Sequence, residues 1–129
     1  MKTLSVKGRV FSGLGKGSEF LKLPWVRRQI EEKLGFKPYL GTLNIKIDGP
    51  LSLRDNPEQA DWIEITPEPG YCRGKCVKCY IDEIECAIIL PEIAGYPSDI
   101  IEVIAPINLR ERLGLRDGDV LTVVIPLKR

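Results

Sequence analysis

Residues 76–90 read CVKCYIDEIECAIIL, which is two apolar-rich runs separated by the polar pair Asp82-Glu83. Residues 76–81 and 84–90 each have the length of a strand, and a two-residue polar connection between such runs predicts a β-hairpin. The middle of the chain is therefore predicted to be antiparallel β-structure.

Further strand signals lie on both sides of this hairpin. Short alternating or apolar runs predict strands over residues 1–11, 42–47, 62–66, 100–104 and 120–125. Pro24 suits the first turn of a helix over residues 24–34, Gly35 is placed to end it, and a shorter helix is predicted over residues 109–113. No βαβ alternation appears, so we expect a mainly β fold: a small closed β-barrel with one or two short helices, in a single domain over residues 1–129.

The composition excludes several classes of function. The chain has 19 Lys and Arg against 18 Asp and Glu, and it contains no histidine. Balanced charge gives no general attraction for nucleic acid, and the lack of histidine excludes Ser-His-Asp and Cys-His catalysis and histidine-based metal sites. No apolar run approaches the ~20 residues of a membrane helix. No leader pattern precedes the first predicted strand, so we expect a cytoplasmic protein with no membrane or nucleic-acid partner.

A glycine-rich segment follows the first predicted strand. It reads Gly13-Leu14-Gly15-Lys16-Gly17-Ser18. Alternating glycines let backbone N–H groups approach an anion, and a lysine adds positive charge. The spacing fits neither a dinucleotide-binding fingerprint nor a P-loop, and no helix is predicted to open there. The segment is therefore either a phosphate-binding loop or a flexible hairpin loop.

Thr42 and Asn44 stand two residues apart at the start of a predicted strand. Because side chains alternate along a strand, both are expected on one face. A hydroxyl and an amide oxygen are hard donors that suit a Mg²⁺ ion which retains waters and phosphates. The alternative is an ordinary polar strand face after a turn.

Two charged positions are further candidates. Glu102 interrupts an apolar run, so it lies either on a solvated face or in a pocket where it accepts hydrogen bonds from a ligand. Arg110 belongs to the predicted helix over residues 109–113, where a cation either meets phosphates or faces solvent.

Four cysteines, Cys72, Cys76, Cys79 and Cys86, have spacings that suggest zinc. If residues 76–81 form a strand, however, Cys76 and Cys79 point to opposite faces, which opposes chelation. Structural zinc, a disulfide and ordinary buried thiols remain open, and buried thiols are favoured.

The order of these motifs strongly resembles the archaeal CTP-dependent riboflavin kinases over nearly the whole chain. The stretches that carry the resemblance are Gly13-Leu14-Gly15-Lys16-Gly17 with Phe20, Gly35-Phe36-x-Pro38-Tyr39-x-Gly41-Thr42-Leu43-Asn44, Ile100-Ile101-Glu102-Val103-Ile104-Ala105-Pro106 with Leu109-Arg110, and Leu115-x-Asp117-Gly118-Asp119. The Gly-Thr-Leu-Asn and Ile-Glu-x-Ile-Ala-Pro stretches are the specific parts.

The resemblance implies a cradle-loop β-barrel of the riboflavin-synthase-related type and phosphoryl transfer from CTP to riboflavin, giving FMN and CDP. It implies Mg²⁺ ligands at Thr42 and Asn44, and flavin contacts at Ala94 and Glu102. Glu102 is also the first candidate for a catalytic role. The residues expected to bind the nucleotide are Gly13, Leu14, Gly15, Lys16, Gly17, Ser18, Ile107, Asn108, Leu109 and Arg110.

The chain departs from the family at the flavin side. Ala94 stands where the family usually has Thr or Ser, and the histidine that follows is replaced in Gly95-Tyr96-Pro97. One flavin hydrogen bond is therefore expected to be missing, or to come from the backbone, Tyr96 or Ser98. We expect a monomeric kinase. The alternatives are a catalytically silent flavin or nucleotide sensor and a swapped-hairpin DNA-binding barrel.

Overall fold

The structure is a computed structural model that describes residues 2–13 and 15–128. Seven strands and three helices lie within those residues. The strands are β1 (Thr3–Phe11), β2 (Leu43–Ile47), β3 (Ile63–Ile65), β4 (Gly74–Ile81), β5 (Ile84–Pro91), β6 (Ile100–Ile104) and β7 (Val120–Pro126). The helices are α1 (Lys16–Leu21), α2 (Pro24–Leu34) and α3 (Leu109–Leu113), and 3₁₀ turns cover Ser52–Arg54 and Pro57–Gln59.

Antiparallel pairing joins the strands in the order β3-β4-β5-β6-β2-β1-β7. A further pairing between β4 and β7, at Tyr80 and Val124, brings the two arms of this order together. Six strands thereby form a closed barrel, and β3 is added outside it on β4. The expected mainly β fold, a small closed barrel with short helices, is confirmed.

Side chains alternate between the two faces of the barrel wall. On β5, Cys86 and Ile88 belong to the cluster that fills the barrel, whereas Ala87 and Ile89 belong to a second cluster beneath α1 and α2. Gly8 on β1 permits close packing of the wall, because a Cβ there would lie 2.6 Å from the Lys46 carbonyl oxygen. The barrel interior is thus a packed core.

The glycine-rich segment differs from its prediction, because a helix does open within it. α1 begins at Lys16, and Gly15 precedes it in the left-handed conformation with φ 88°. Six residues are too few to leave a periodic apolar stripe, and the burial of Phe20 and Leu21 in contact with neighbouring elements stabilises the helix. Among the described residues, no helix has the length and apolar character needed to cross a bilayer.

The other predicted elements are confirmed to within one or two residues at each end, apart from Met1, which lies outside the described residues. Residues 50–60 contain the two 3₁₀ turns. Gly35 ends α2 in the left-handed conformation, as the sequence predicts, and Gly114 ends α3 in the same conformation.

The turn between β4 and β5 gives a test of the hairpin. Asp82 and Glu83 have φ values of 47° and 68°, a conformation that favours Asn and Gly. We expect the double variant Asp82→Asn with Glu83→Gly to raise the free energy of unfolding by about 1 kcal/mol, because left-handed backbone costs other residues about that much. Chemical denaturation measures this change in the free energy of unfolding. Glu85→Gly, in the regular strand beside the turn, is the control and should destabilise; stabilisation by both would contradict the turn geometry.

Candidate functional site

Glu102 on β6 is the centre of the candidate site. Its side chain is on the outer face of the barrel, yet its exposed fraction is 0%. Oε2 accepts hydrogen bonds from the Gly17 backbone N–H at 2.7 Å and from the Tyr96 hydroxyl at 2.6 Å, and Oε1 accepts from the Thr42 hydroxyl at 2.7 Å. The alternative of a solvated face is therefore wrong. A buried carboxylate is stable only when such donors replace water.

Gly17 lies in the first turn of α1, directly over this carboxylate. A Cβ at Gly17 would lie 2.8 Å from the Glu102 carboxyl carbon, so a larger residue would displace one or the other. The Gly17 N–H is therefore committed to Glu102 in this conformation. The third glycine of the glycine-rich segment allows the helix to seat on the carboxylate.

Thr42 and Asn44 both lie beside Glu102, which confirms their predicted shared face. Thr42 donates its single hydroxyl proton to Glu102, so the lone pairs of its oxygen remain available. Asn44 is the cross-strand neighbour of Glu102, and its Oδ1 is buried with no hydrogen-bond partner among the described residues. An unpartnered acceptor next to a hydroxyl oxygen fits a hard cation such as Mg²⁺. Within residues 2–13 and 15–128, no group of three or more Cys, Asp or Glu could hold a metal.

Thr42 also lines a cleft of about 180 Å³. Residues 107–110, which are predicted to bind the nucleotide, also line this cleft, and so does Tyr39. The Tyr39 hydroxyl accepts a hydrogen bond from Asn108 Nδ2 at 3.2 Å, and the side chain of Tyr39 is 46% exposed. Leu109 lines the cleft and is buried in the barrel core. The structure thus places Thr42, Asn108 and Arg110 around one cleft.

Arg110 connects this cleft to the start of the glycine-rich segment. Its guanidinium donates to the Phe11 carbonyl and to the Ser12 hydroxyl, both at 3.3 Å, and pairs with Asp117 at 3.0 Å. Ser12 in turn donates to Asp117 at 2.8 Å. Hydrogen bonds from Ser12 and Arg110 lower the pKa of Asp117, so the ion pair persists at neutral pH.

The remaining residues of the glycine-rich segment differ in backbone conformation and in exposure. Gly13 and Gly15 have positive φ values, Lys16 is exposed, and Ser18 is half-buried. Leu14, which the resemblance places among the nucleotide-binding residues, lies outside the described residues. The segment therefore runs from the Arg110 contact to the Glu102 contact, along the edge of the candidate site.

The predicted flavin residue Ala94 lies in the exposed loop between β5 and β6. Tyr96 from the same loop reaches Glu102, and the Arg54 guanidinium lies 5.6 Å from the centre of its ring. Tyr96 and Arg54 line a second cleft, of about 240 Å³, together with Lys75. Sequence reasoning considered Tyr96 only as a substitute hydrogen-bond donor and missed Arg54, because nothing near Arg54 in the chain marks it.

The cysteines take no part in the site. Cys76 lies beneath the helices, whereas Cys79 and Cys86 lie inside the barrel, so the predicted opposite faces are confirmed. All four thiols are free, and burial raises the pKa of Cys76 to about 12. A protonated buried thiol is a poor metal ligand. Ordinary thiols remain the favoured prediction for the four cysteines.

Comparison with known proteins gives a consistent result. The family model CTP-dep_RFKase, described as "Domain of unknown function DUF120", matches residues 10–125. Among curated relatives, the riboflavin kinase of Pyrobaculum islandicum is 43% identical over 136 residues, covering 98% of this chain and 62% of the relative. The riboflavin kinase of Archaeoglobus fulgidus is 42% identical over 130 residues, covering 97% of this chain and 56% of the relative. That of Methanosarcina barkeri is 41% identical over 131 residues, with 98% and 57% covered.

These relatives are longer than the chain. It spans between 56% and 62% of the length of the curated proteins named above.

Gly17→Ala tests the seating of α1 on Glu102. We expect a loss of about 2 kcal/mol in the free energy of unfolding, because the added methyl breaks a charge-assisted hydrogen bond in a buried site. Denaturant titration measures the loss. Glu19→Ala, at an exposed position of the same helix, should change stability little; equal effects of the two variants would contradict the contact.

Proposed function

The chain belongs to the CTP-dependent riboflavin kinase family, and from that premise we propose that it transfers the γ-phosphate of CTP to the 5′-hydroxyl of riboflavin. The oxygen of that hydroxyl forms the new bond to phosphorus, the bond to the β-phosphate breaks, CDP leaves and one proton is released. One observation carries the proposal: the buried Glu102 carboxylate hydrogen-bonds Thr42, which lines one cleft, and Tyr96, which lines another. A reaction of two substrates needs two binding clefts that meet at one centre.

We propose that the nucleotide occupies the cleft between Tyr39 and Asn108. The exposed ring of Tyr39 offers a flat surface for a base, and the Asn108 amide holds that ring in place. Arg110 and Lys16 supply positive charge for phosphates, and exposed Gly13 and half-buried Gly15 allow the backbone to approach them. The choice of CTP over ATP rests on the family.

We propose that Thr42 and Asn44 hold a Mg²⁺ ion. The free lone pairs of the Thr42 oxygen and the unpartnered Asn44 Oδ1 are the donors. When bound, such an ion neutralises charge that develops on the transferred phosphate. Glu102 fixes the direction of the Thr42 proton, so the hydroxyl oxygen presents its lone pairs away from the carboxylate.

We propose that riboflavin binds on the other side of Glu102, next to the loop that carries Ala94 and Tyr96. The second cleft there has apolar walls from Leu90 and Ile93 and two cationic side chains, Arg54 and Lys75. A wide apolar ring with polar edges suits such walls and anchors. Direct contact between Glu102 and the flavin requires a change in this conformation, because three donors already surround the carboxylate.

The first test is product formation. Purified protein is incubated with riboflavin, Mg²⁺ and either CTP or ATP, and chromatography quantifies FMN with CDP or ADP. We expect FMN and CDP with CTP only. FMN with ATP would retain the kinase and reject the donor, whereas riboflavin binding without FMN in either mixture would favour a catalytically silent sensor.

Thr42→Ala tests the metal ligand. We expect kcat to fall by at least about 100-fold while riboflavin binding changes little, because charge stabilisation by a metal is worth several kcal/mol. Thr122→Ala, an exposed threonine on β7, is the matched control and should retain activity. An active Thr42→Ala enzyme with unchanged Mg²⁺ dependence would reject the proposed ligand.

A further inference from the structure

Tyr96 lies in a loop, yet two other segments of the chain contact its side chain. Its hydroxyl donates to Glu102 at 2.6 Å, and its ring lies under the Arg54 guanidinium. Arg54 also donates to the Pro97 carbonyl at 3.2 Å and to the Ile100 carbonyl at 2.7 Å. Tyr96 therefore has contacts at both its hydroxyl and its ring. Arg54 also binds the backbone after Tyr96, at Pro97 and at Ile100.

The hydrogen bonds of Glu102 are unevenly shared between its two oxygens. Within the part of the chain that the structure describes, Oε1 accepts from Thr42 alone, whereas Oε2 accepts from Gly17 and Tyr96. Without the Tyr96 hydroxyl, one backbone N–H would hold Oε2 in a site with no solvent contact. A carboxylate with so few donors would rotate or shift to recover hydrogen bonds, and the Thr42 bond would move with it.

We propose that Tyr96 is a positioning residue for metal binding: it holds Glu102 so that the Thr42 hydroxyl keeps its lone pairs directed at the cation shared with Asn44. The inference rests on the proposed function, because it takes Thr42 and Asn44 as the Mg²⁺ ligands. Removing a group that orients a metal ligand through a hydrogen bond commonly lowers metal affinity by about 10- to 100-fold.

The protonation of Tyr96 supports this role. Burial, followed by the hydrogen bond to Glu102, raises the pKa of Tyr96 above its usual value. The hydroxyl therefore keeps its proton, and remains a donor to Glu102, through the neutral pH range.

A competing role for Tyr96 is direct contact with the flavin through its hydroxyl. That hydroxyl has one proton, and the proton is committed to Glu102. The two roles predict different results when the hydroxyl is removed, since one affects the Mg²⁺ dependence of nucleotide binding and the other affects riboflavin binding.

The test compares Tyr96→Phe, Tyr96→His and Tyr80→Phe with the unmodified chain. Phenylalanine keeps the ring without the hydroxyl, and histidine restores a hydrogen-bond donor. Tyr80→Phe removes a hydroxyl from an exposed tyrosine on β4, away from the site. Calorimetry measures CTP affinity with and without Mg²⁺, and fluorescence quenching measures riboflavin affinity. These readouts do not depend on turnover.

We expect Tyr96→Phe to lower the gain in CTP affinity that Mg²⁺ provides by about 10-fold. Its CTP affinity without Mg²⁺ should stay unchanged, and its riboflavin affinity should fall by less than the Mg²⁺ gain does, because phenylalanine keeps the ring that lines the second cleft. Tyr96→His should recover most of the gain, and Tyr80→Phe should match the unmodified chain. If circular dichroism shows that Tyr96→Phe does not fold, Tyr96→His is compared with Tyr96→Ala. An equal Mg²⁺ gain in CTP affinity in these two variants decides against the role, and so does a weakened gain in Tyr80→Phe.

Three results would overturn the inference: an unchanged Mg²⁺ gain in Tyr96→Phe, weaker riboflavin binding in its place, or no Mg²⁺ effect on CTP affinity in the unmodified chain. Failure of the proposed function is a separate result. In that case the unmodified chain forms no FMN, although Mg²⁺-linked CTP binding still weakens in Tyr96→Phe.

Discussion

A carboxylate shut off from water has to find hydrogen-bond donors within the protein, and the placement of three separate segments follows from that requirement. Glu102 receives one donor from the first turn of α1, one from the residue before β2 and one from the loop between β5 and β6. Each of these segments carries or adjoins a stretch expected to bind a substrate or a metal. The buried charge therefore organises the site as well as the local packing.

The strands of the barrel make this arrangement possible by directing apolar and polar side chains to opposite faces. Inward side chains such as Val103 and Ile45 fill the interior, and their neighbours Glu102 and Asn44 face outward on paired strands. α1 and α2 cover part of the outer face with apolar side chains, and the polar residues lie where that cover ends. Because a strand alternates strictly, a polar site next to an apolar core requires no irregularity in β2 or β6.

The strands and two of the helices could be predicted because their signals are local. The hairpin around Asp82-Glu83 and the helix between Pro24 and Gly35 follow from turn chemistry and periodicity within a few residues. α1 could not be predicted in this way. It is short, it opens among glycines, and it is held by the burial of Phe20 and by the contact of Gly17 with Glu102, whose residues lie far apart in the chain.

The residues of the candidate site likewise fall into those that the sequence predicts and those that only the fold reveals. The sequence by itself determined that Thr42 and Asn44 share one strand face, since strand alternation needs no knowledge of the fold, and the order of its motifs determined the family. Only the tertiary structure decided that Glu102 is buried rather than solvated and that Tyr96 and Arg54 belong beside it. The physical reason is that alternation assigns a side chain to a face of a strand, whereas burial and hydrogen-bond partners depend on which distant segments cover that face.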